Sequence, residues 1–362
     1  MKNKQLPQRW KEVELGDILN YEQPTKYIVE DTNYNDNYDT PVLTAGKSFI
    51  LGYTNEKEGI YNKLPVIIFD DFTTENKFVT FSFKVKSSAM KLLTLKSKDV
   101  DLKFIFLLMQ TVKLDSTTHK RYYLSKYRKL KIPLPPISTQ KKIVQILEKA
   151  EQLKQKREQA DKLTDEYLKS VFNEMFLKKK NKFEEVELGN KRIFNEFFAG
   201  GDVPKDKLSK IKTKEYNIPI FTNGEKNKGF YGYTNVPRVT KPSLTISARG
   251  TIGYSEMRKE RFYPAIRLIV ITPKEKILNL FYLKYVISNI NFNLGGTSIP
   301  QLTMPTIKRF KIPLPPISLQ KKFAEKVEKV EKLKEYQKQS GNEINNLFNA
   351  LMQKAFNGEL TV

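Results

Sequence analysis

The 362-residue chain carries one block twice. Residues 131–142 read KIPLPPISTQKK and residues 311–322 read KIPLPPISLQKK, so eleven of twelve positions match at a separation of 180. A match of that length marks an internal duplication, and a duplicated chain folds as two related halves. Looser matches lie around both blocks. The segment Gly52–Asn55 (GYTN) recurs as Gly232–Asn235, Pro41–Gly46 (PVLTAG) as Pro219–Gly224 (PIFTNG), and Val13–Gly16 (VELG) as Val186–Gly189. Between these positions the copies diverge. The first has Phe69-Asp70-Asp71-Phe72 where the second has Ser247-Ala248-Arg249-Gly250-Thr251-Ile252-Gly253. A common frame carries unlike inserts, and the length suffices for two domains with separate cores.

Each block launches a helix. Proline does not extend a helix inward, so Pro135-Pro136 and Pro315-Pro316 mark an extended approach, with Ser138 and Ser318 as the expected N-caps. The residues after each block are rich in Glu, Lys, Gln and Leu, all good helix formers. One heptad register fits both copies at an offset of 180. Its seam runs through Ile143, Ala150, Leu153, Arg157, Ala160, Thr164, Tyr167 and Val171, then Phe323, Val330, Leu333, Gln337, Ser340, Ile344, Leu347 and Leu351. Other apolar residues (Leu147, Leu163, Leu168, Val327, Phe348) widen the stripe, so the helices are expected to meet more than one surface. A helix of about 40 residues is roughly 60 Å long, and alone it would leave its apolar stripe in water. Pairing the two helices antiparallel removes the stripe and holds the two domains at opposite ends of a rod; the competing arrangement packs each helix on its own domain. Polar groups near mid-seam (Arg157 and Ala160, Gln337 and Ser340) would fix register.

The predicted boundaries are 1–137 for a first domain, 138–180 for a first spacer helix, 181–317 for a second domain and 318–362 for a second spacer helix. Within the first domain Pro65–Phe69, Phe78–Phe83 and Leu92–Leu95 read as strands and Leu102–Leu114 as a helix. In the second, Ser243–Ser247 and Ala265–Thr272 read as strands and Leu280–Ile290 as a helix. The fold class is α/β: two globular domains joined by two long helices in an antiparallel coiled coil, with a pseudo-twofold duplication.

Charge points to the partner. The net charge is +24, and +18 of it lies in residues 1–140 and 181–320, the second segment dominating with +12. A polyanion, nucleic acid first, is the matching ligand. No apolar run approaches a membrane span, and the N-terminus lacks the apolar stretch of a signal peptide. Cysteine is absent, which excludes disulfides and thiolate metal sites and suits a reducing cytoplasm.

Catalytic chemistry finds little support. An adenine methyltransferase needs an Asp/Asn-Pro-Pro-aromatic motif, but Pro-Pro occurs only within Leu-Pro-Pro-Ile. There is no phosphate-binding G-x-x-x-x-G-K-[ST] loop. Asp70, Asp71 and Glu75-Asn76-Lys77 could suggest Mg²⁺-dependent cleavage, yet they crowd behind one strand and read more simply as a solvated turn. The single histidine, His119, excludes a histidine metal cluster.

The duplicated P-L-P-P-I-S-x-Q-K-K block, the helix after it and the terminal Phe356–Leu360 resemble type I restriction–modification specificity subunits. So do Ser247–Gly253 and Thr297–Thr303, similar to segments common in that family's recognition domains. The resemblance covers essentially the whole chain, in the order domain, helix, domain, helix. It implies that each variable domain reads half of a split, asymmetric double-stranded DNA target through loops in the major groove. It further implies that the paired helices space the domains and dock two modification (methyltransferase) subunits, to which restriction–motor subunits can add. S-adenosylmethionine, ATP and Mg²⁺ are then expected only in those partners, and this chain is expected to be non-catalytic, without a metal, and bacterial cytoplasmic. The departure at Phe69–Phe72 means that loop roles do not transfer between the halves. The alternative is a stand-alone DNA-binding regulator with a coiled-coil partner surface.

Candidate DNA contacts in predicted loops are Lys47, Ser48, Lys77, Arg121, Tyr122 and Tyr123 in copy one, and Lys226, Lys228, Arg249, Ser298 and Gln301 in copy two. Their chemistry suits guanine, adenine or phosphate acceptors, although most basic contacts go to phosphates. Arg249 could instead cap the Gly250–Gly253 turn, and Tyr53 and Tyr233, in the shared GYTN segments, read as structural.

Overall fold

The computed structural model describes residues 6–46, 48–112, 122–178, 183–292 and 301–360. The chain divides into two compact units, one of residues 1–158 with 339–362 and one of residues 159–338.

In the first unit the order is β1 (Lys11–Glu14), α1 (Leu15–Ile18), β2 (Leu19–Glu22), β3 (Thr40–Leu43), β4 (Ile50–Thr54), β5 (Val66–Asp70), β6 (Asn76–Val79), β7 (Lys84–Val85), β8 (Met90–Leu95), α2 (Leu102–Thr111), α3 (Tyr122–Ser125), β9 (Lys131–Leu134) and the start of α4 (Ile137–Phe172). The second unit repeats the plan. It has β10 (Glu184–Glu187), β11 (Phe194–Ala199), β12 (Ile218–Phe221), β13 (Phe230–Thr234), β14 (Ser243–Ile246), β15 (Ser255–Arg258), β16 (Tyr263–Pro264), β17 (Ile269–Pro273), α5 (Leu280–Ser288), α6 (Met304–Lys308), β18 (Lys311–Leu314) and the start of α7 (Ile317–Phe356).

Three sheets recur in both copies. Strands β2-β8-β5-β6 form an antiparallel sheet matched by β11-β17-β14-β15. The mixed sheet β4-β3-β7 is matched by β13-β12-β16, the last pairing parallel in each. The third sheet shows why the repeated motifs exist. The VELG strand pairs antiparallel with the KIPL strand in each copy, Val13 opposite Ile132 and Val186 opposite Ile312. Such two-stranded clasps tolerate Pro133 and Pro313 because each has a free edge. The glycine of GYTN is required by contact: a side chain at Gly52 would run into the Tyr34 ring, and one at Gly232 into the Ser209 carbonyl.

The glutamine of each block is fully buried and fully satisfied. Gln140 donates to the Pro135 carbonyl (2.8 Å) and accepts from Asp101 N–H (2.8 Å), the N-cap residue of α2. Gln320 donates to the Pro315 and Ile277 carbonyls (2.8 and 2.9 Å) and accepts from Asn279 N–H (2.9 Å), the N-cap of α5. The long helices start at Ile137 and Ile317, two residues earlier than caps at Ser138 and Ser318 would place them: Gln140 N–H bonds the Pro136 carbonyl, so both serines lie inside the first turn.

Two expected strands are shorter than their sequence pattern. The run 78–83 leaves its sheet after Val79 and rejoins the mixed sheet at Lys84, with Phe83 buried between the two. The run 265–272 becomes a strand only at Ile269, because Ile266 and Arg267 adopt left-handed backbone (φ 52° and 59°).

The helices pair antiparallel. In the first unit Ile143 and Leu147 near the start of α4 share a core with Leu351, Met352 and Ala355 near the end of α7, and Ala150 is buried. In the second, Leu168, Val171 and Phe172 share a core with Phe323, Val327 and Val330. One seam line is therefore as expected, but the other lies one residue later near the helix ends and is solvent-facing in between, at Asp161 and Lys334. Leu153 (51%) and Leu347 (51%) are exposed in the first unit, and Tyr167 (49%) and Leu333 (47%) in the second, while Leu147, Leu168 and Val327 are buried. Ala160 and Ile344 are half-buried. The polar seam position is filled by Gln337, which donates to Thr164 Oγ1 (2.9 Å). Among the described residues, no helix is long and apolar enough to cross a membrane.

The corrected phase is testable by chemical denaturation. Leu147→Ala, which removes a fully buried side chain, is expected to cost about 2–5 kcal/mol, and Leu153→Ala no more than about 0.5 kcal/mol.

Candidate nucleic-acid interface

In the second unit three loop segments come together, and in the first unit two segments at corresponding places do so. In the second unit these are 222–229, 247–254 and 301–303. Asn223 joins two edges: its Oδ1 accepts from Ala248 N–H (2.7 Å) and its Nδ2 donates to the Ile266 carbonyl (2.5 Å). Gly224 N–H donates to Ser247 Oγ (2.9 Å), and Leu302 N–H to the Ala248 carbonyl (2.9 Å). At the surface, Arg249 Nη2 donates to Gln301 Oε1 (2.9 Å). Beside this pair lies a depression of about 430 Å³, lined among others by Gly200, Gly201, Arg267 and Gln301. Arg and Lys side chains here offer donors only, the complement of phosphate oxygens and of the O6/N7 edge of guanine.

The 226–229 turn holds Asn227 and Lys228 at φ 50° and 54°, a conformation L side chains adopt at a cost. It is held from beneath by Arg258, whose side chain sequence reading missed. Arg258 donates to the Lys228 carbonyl (2.6 Å) and to Thr245 Oγ1 (3.2 Å), and its guanidinium lies 3.6 Å from the centre of the Phe221 ring. Burial pushes its pKa down to about 10, so it stays charged at neutral pH. Glu256 balances it nearby, accepting from Tyr254 O–H (2.9 Å) and pairing with Lys228 Nζ (3.3 Å). Burial first, and that bond second, push the Tyr254 phenol up to about 12.

The first unit joins the corresponding segments 71–75 and 122–126, and it too buries charge. Lys84 Nζ lies 2.6 Å from Glu56 Oε2 and donates to the Glu58 carbonyl (2.7 Å). Glu56 Oε1 accepts from Glu30 and Asp31 N–H (both 2.9 Å). Asp71 and Lys91, each 2% exposed at the side chain, pair at 3.1 Å. Asp70 closes the adjoining turn by accepting from Phe72 and Thr73 N–H. The reading of 70–77 as a solvated turn is therefore corrected for Asp71, and for Asn76 and Lys77, which lie on β6 with Asn76 buried and accepting from Gln110. No cluster of three or more His, Cys, Asp or Glu suited to a metal occurs among the described residues.

Of the candidate contacts, Ser48, Lys226, Lys228 and Arg249 are exposed, and Lys77 and Gln301 half-buried. The structure brings Arg249 and Gln301 together and sets Lys226 and Lys228 on the adjoining turn. Arg249 bonds Gln301 rather than the Gly250–Gly253 turn. Tyr122 and Tyr123 are corrected: both are buried in the core, Tyr123 against Phe69 (ring centres 5.6 Å), and neither faces solvent. Lys47, Arg121 and Ser298, like His119, lie outside the described residues. Residues missed by sequence reading are Asn223, Arg258, Arg267 and the Asp71–Lys91 pair. Only Asn223 carried a signal, its place in the repeated PIFTNG segment.

Burial alone would raise the pKa of Glu56, but Lys84 and the two N–H groups hold it below the ordinary carboxylate value. A depressed folded-state pKa stabilises above the ordinary value, and that stability is lost as pH falls through the folded one. Glu56→Gln leaves Lys84 without its counter-charge and is expected to cost about 1–3 kcal/mol at pH 7, since Glu56 keeps some contact with water. Denaturation curves should show the gap between wild type and variant closing as the pH falls below 4 to 5 (roughly the ordinary carboxylate range).

Comparison with known proteins places this architecture. Residues 7–162 and 181–346 match the family described as type I restriction modification DNA specificity domain. The specificity subunit of the Escherichia coli type I restriction enzyme EcoR124I/EcoR124II is 32% identical over 359 residues, covering 88% of this chain and 86% of that one. The specificity subunit of the Methanocaldococcus jannaschii type I restriction enzyme MjaVIII is 24% identical over 412 aligned residues, covering 99% and 94%. The crystal structure of a type I restriction–modification system S subunit from M. genitalium shares the fold, with a TM-score of 0.63 at 16% identity and 98% of each chain covered. Two matched domains and a full-length relative make this chain a member of the type I restriction–modification DNA specificity family.

Proposed function

We propose that this chain is the target-reading subunit of a type I restriction–modification complex. Each recognition domain reads one half of a split, asymmetric double-stranded DNA site. The observation that carries the reading is the duplicated loop platform, built on one frame with different side chains, in the two segments that hold +18 of the +24 net charge. A repeated frame gives two half-sites, and unlike loops make the half-sites differ.

The helices hold two modification subunits. Support comes from the apolar side chains that their pairing leaves in water: Leu153 and Leu347 in one unit, and Leu163, Tyr167, Leu333 and Tyr336 in the other. Exposed large apolar residues gathered on helices suit a protein surface better than solvent. That feature, with the family membership, favours a complex over a stand-alone regulator. Methyl transfer from S-adenosylmethionine to adenine, and any ATP- and Mg²⁺-dependent restriction, then belong to the partner subunits, in the bacterial cytoplasm.

Two experiments test this. The purified chain alone, given S-adenosylmethionine, ATP and Mg²⁺, is expected neither to methylate nor to cut DNA; turnover would overturn the assignment. Replacing residues 1–130 by the first domain of another family member, in the reconstituted complex, is expected to change the methylated sequence in one half-site only. Simultaneous change of both halves would show that the domains do not read independently. Within the second half-site, Arg249→Ala is expected to weaken binding and, if the contact is to phosphate, to lower the salt slope by about one.

A further inference from the structure

The two copies form an internal control on buried charge. Strand pairing aligns them residue by residue: Ile67 opposite Leu93 corresponds to Leu244 opposite Ile271, and Phe69 opposite Lys91 to Ile246 opposite Ile269. By this register Lys91 stands where the second copy has Ile269, and Asp71 where it has Ala248. A third bond confirms the match, because Tyr122 N–H donates to the Asp71 carbonyl (2.9 Å) as Leu302 N–H does to the Ala248 carbonyl (2.9 Å). One copy therefore buries an ion pair at a position where the other builds the same strands with Ile and Ala.

We propose that Asp71, its carboxylate seated by Lys91, is a positioning residue for the DNA-reading surface of the first domain through the bond it accepts from Tyr123 N–H, and that the fold does not need the ion pair. Taking two charges out of water costs several kcal/mol per ion, and apolar replacements of similar volume are often neutral or stabilising. The second copy holds such a replacement. What the pair adds is a side-chain bond the second copy lacks there: Asp71 Oδ1 accepts from Tyr123 N–H (2.8 Å). Lys91 fixes that carboxylate and also reaches Gln23 Oε1 (3.2 Å). Asp71 thus couples the 71–75 turn, with its exposed Phe72, to the segment whose next residues, Leu124, Ser125 and Lys126, are exposed.

The second copy couples the same two segments differently. Arg249, in the place of Phe72, bonds Gln301 at the surface. Each copy therefore joins its turn to its post-helix segment, one from below with a buried carboxylate and the other from above with a guanidinium. A carboxylate underneath leaves the outer face of the first domain free for other side chains.

The inference rests on the proposed function, and the test separates the two. Full-length chain in complex with its modification subunits is bound to a duplex library carrying every base at each half-site position. Two double variants are compared with wild type. Asp71→Ala with Lys91→Ile installs the residues of the second copy. Asp71→Asn with Lys91→Met removes both charges but keeps an acceptor for Tyr123 N–H. The first is expected to fold, losing no more thermal stability than the missing Tyr123 N–H bond accounts for, and to lose roughly tenfold or more of its base preference in the first half-site, with the second half-site unchanged. The second is expected to keep the first half-site preference. If the Ala/Ile variant fails to fold, keeps wild-type preference, or weakens both half-sites equally, the positioning role is wrong while the reading of a split target stands. Loss of first half-site preference in the Asn/Met variant would also overturn it. If wild type shows no base preference, the proposed function fails, and this inference with it.

Discussion

The rest of the structure depends on one buried amide used twice. Gln140 and Gln320 each span three backbone segments: the proline turn that precedes a long helix, the loop before a short domain helix, and the N-cap residue of that helix. An amide has one acceptor and two donor hydrogens, and here both kinds are used. Removing one partner of such a buried set leaves donors or carbonyls unsatisfied, each at a cost of about 1–3 kcal/mol. This explains why the P-L-P-P-I-S-x-Q-K-K block varies at one position only. The prolines set an extended strand against VELG, the glutamine ties that strand to the domain helix, and the long helix leaves in a fixed direction. Whatever the variable loops do, they are placed relative to this joint.

On that frame the copies differ most where polar groups are buried. The first puts charges at Lys84, Lys91 and Asp71, and the second at Arg258, where strand register places Val79 in the first. Asp71, Lys91 and Arg258 lie under or beside the joined loops, and Lys84 holds the 56–58 segment. A fold that needed charge in its core would keep it at the same positions in both copies. Different charges at different positions, on one set of strands, indicate that each set supports its own loops. Arg258 shows the physics. A guanidinium over an aromatic ring, gripping the carbonyl of a left-handed turn, stabilises a loop shape that the backbone would not favour alone.

Much of this organisation was legible in the sequence because repetition is insensitive to packing detail. The duplicated block, the strand–strand–helix order shared by the two domains and the two long helices were readable because the copies repeat, whereas sequence reading missed the mixed sheets and the VELG–KIPL clasps. The failures have specific causes. Tyr122 and Tyr123 precede the strand like a polar loop, but their rings fill the core against Phe69, a contact about fifty residues away in sequence. Asp71 looked solvated because its partner Lys91 lies on another strand. Arg258 sits in a run of charged and polar residues, SEMRKER, and gives no sign that one of them points inward. Burial of a charge is decided by strand register, and one sequence alone does not supply the register.

The heptad error is of a different kind, and it bears on partners. Apolar residues follow the line Ile143, Ala150 and Val171 in one helix and Phe323, Val330 and Leu351 in the other, and that line is packed as expected. A second line can be drawn three residues or four residues further on, and each is partly apolar and interrupted by polar residues, such as Lys154, Asp161 and Lys334 on the four-residue line and Lys326 and Ser340 on the three-residue line. The helices use the four-residue line, through Leu147, Leu168 and Val327, for their own cores. The three-residue line, with Leu153 and Leu347 in one unit and Tyr167 and Leu333 in the other, is left half in water. A stripe that served only helix pairing would need one of these lines, and the other would drift to polar residues at little cost to the fold. Its exposed apolar residues on both helices are what suit the pair to the partner surface proposed above.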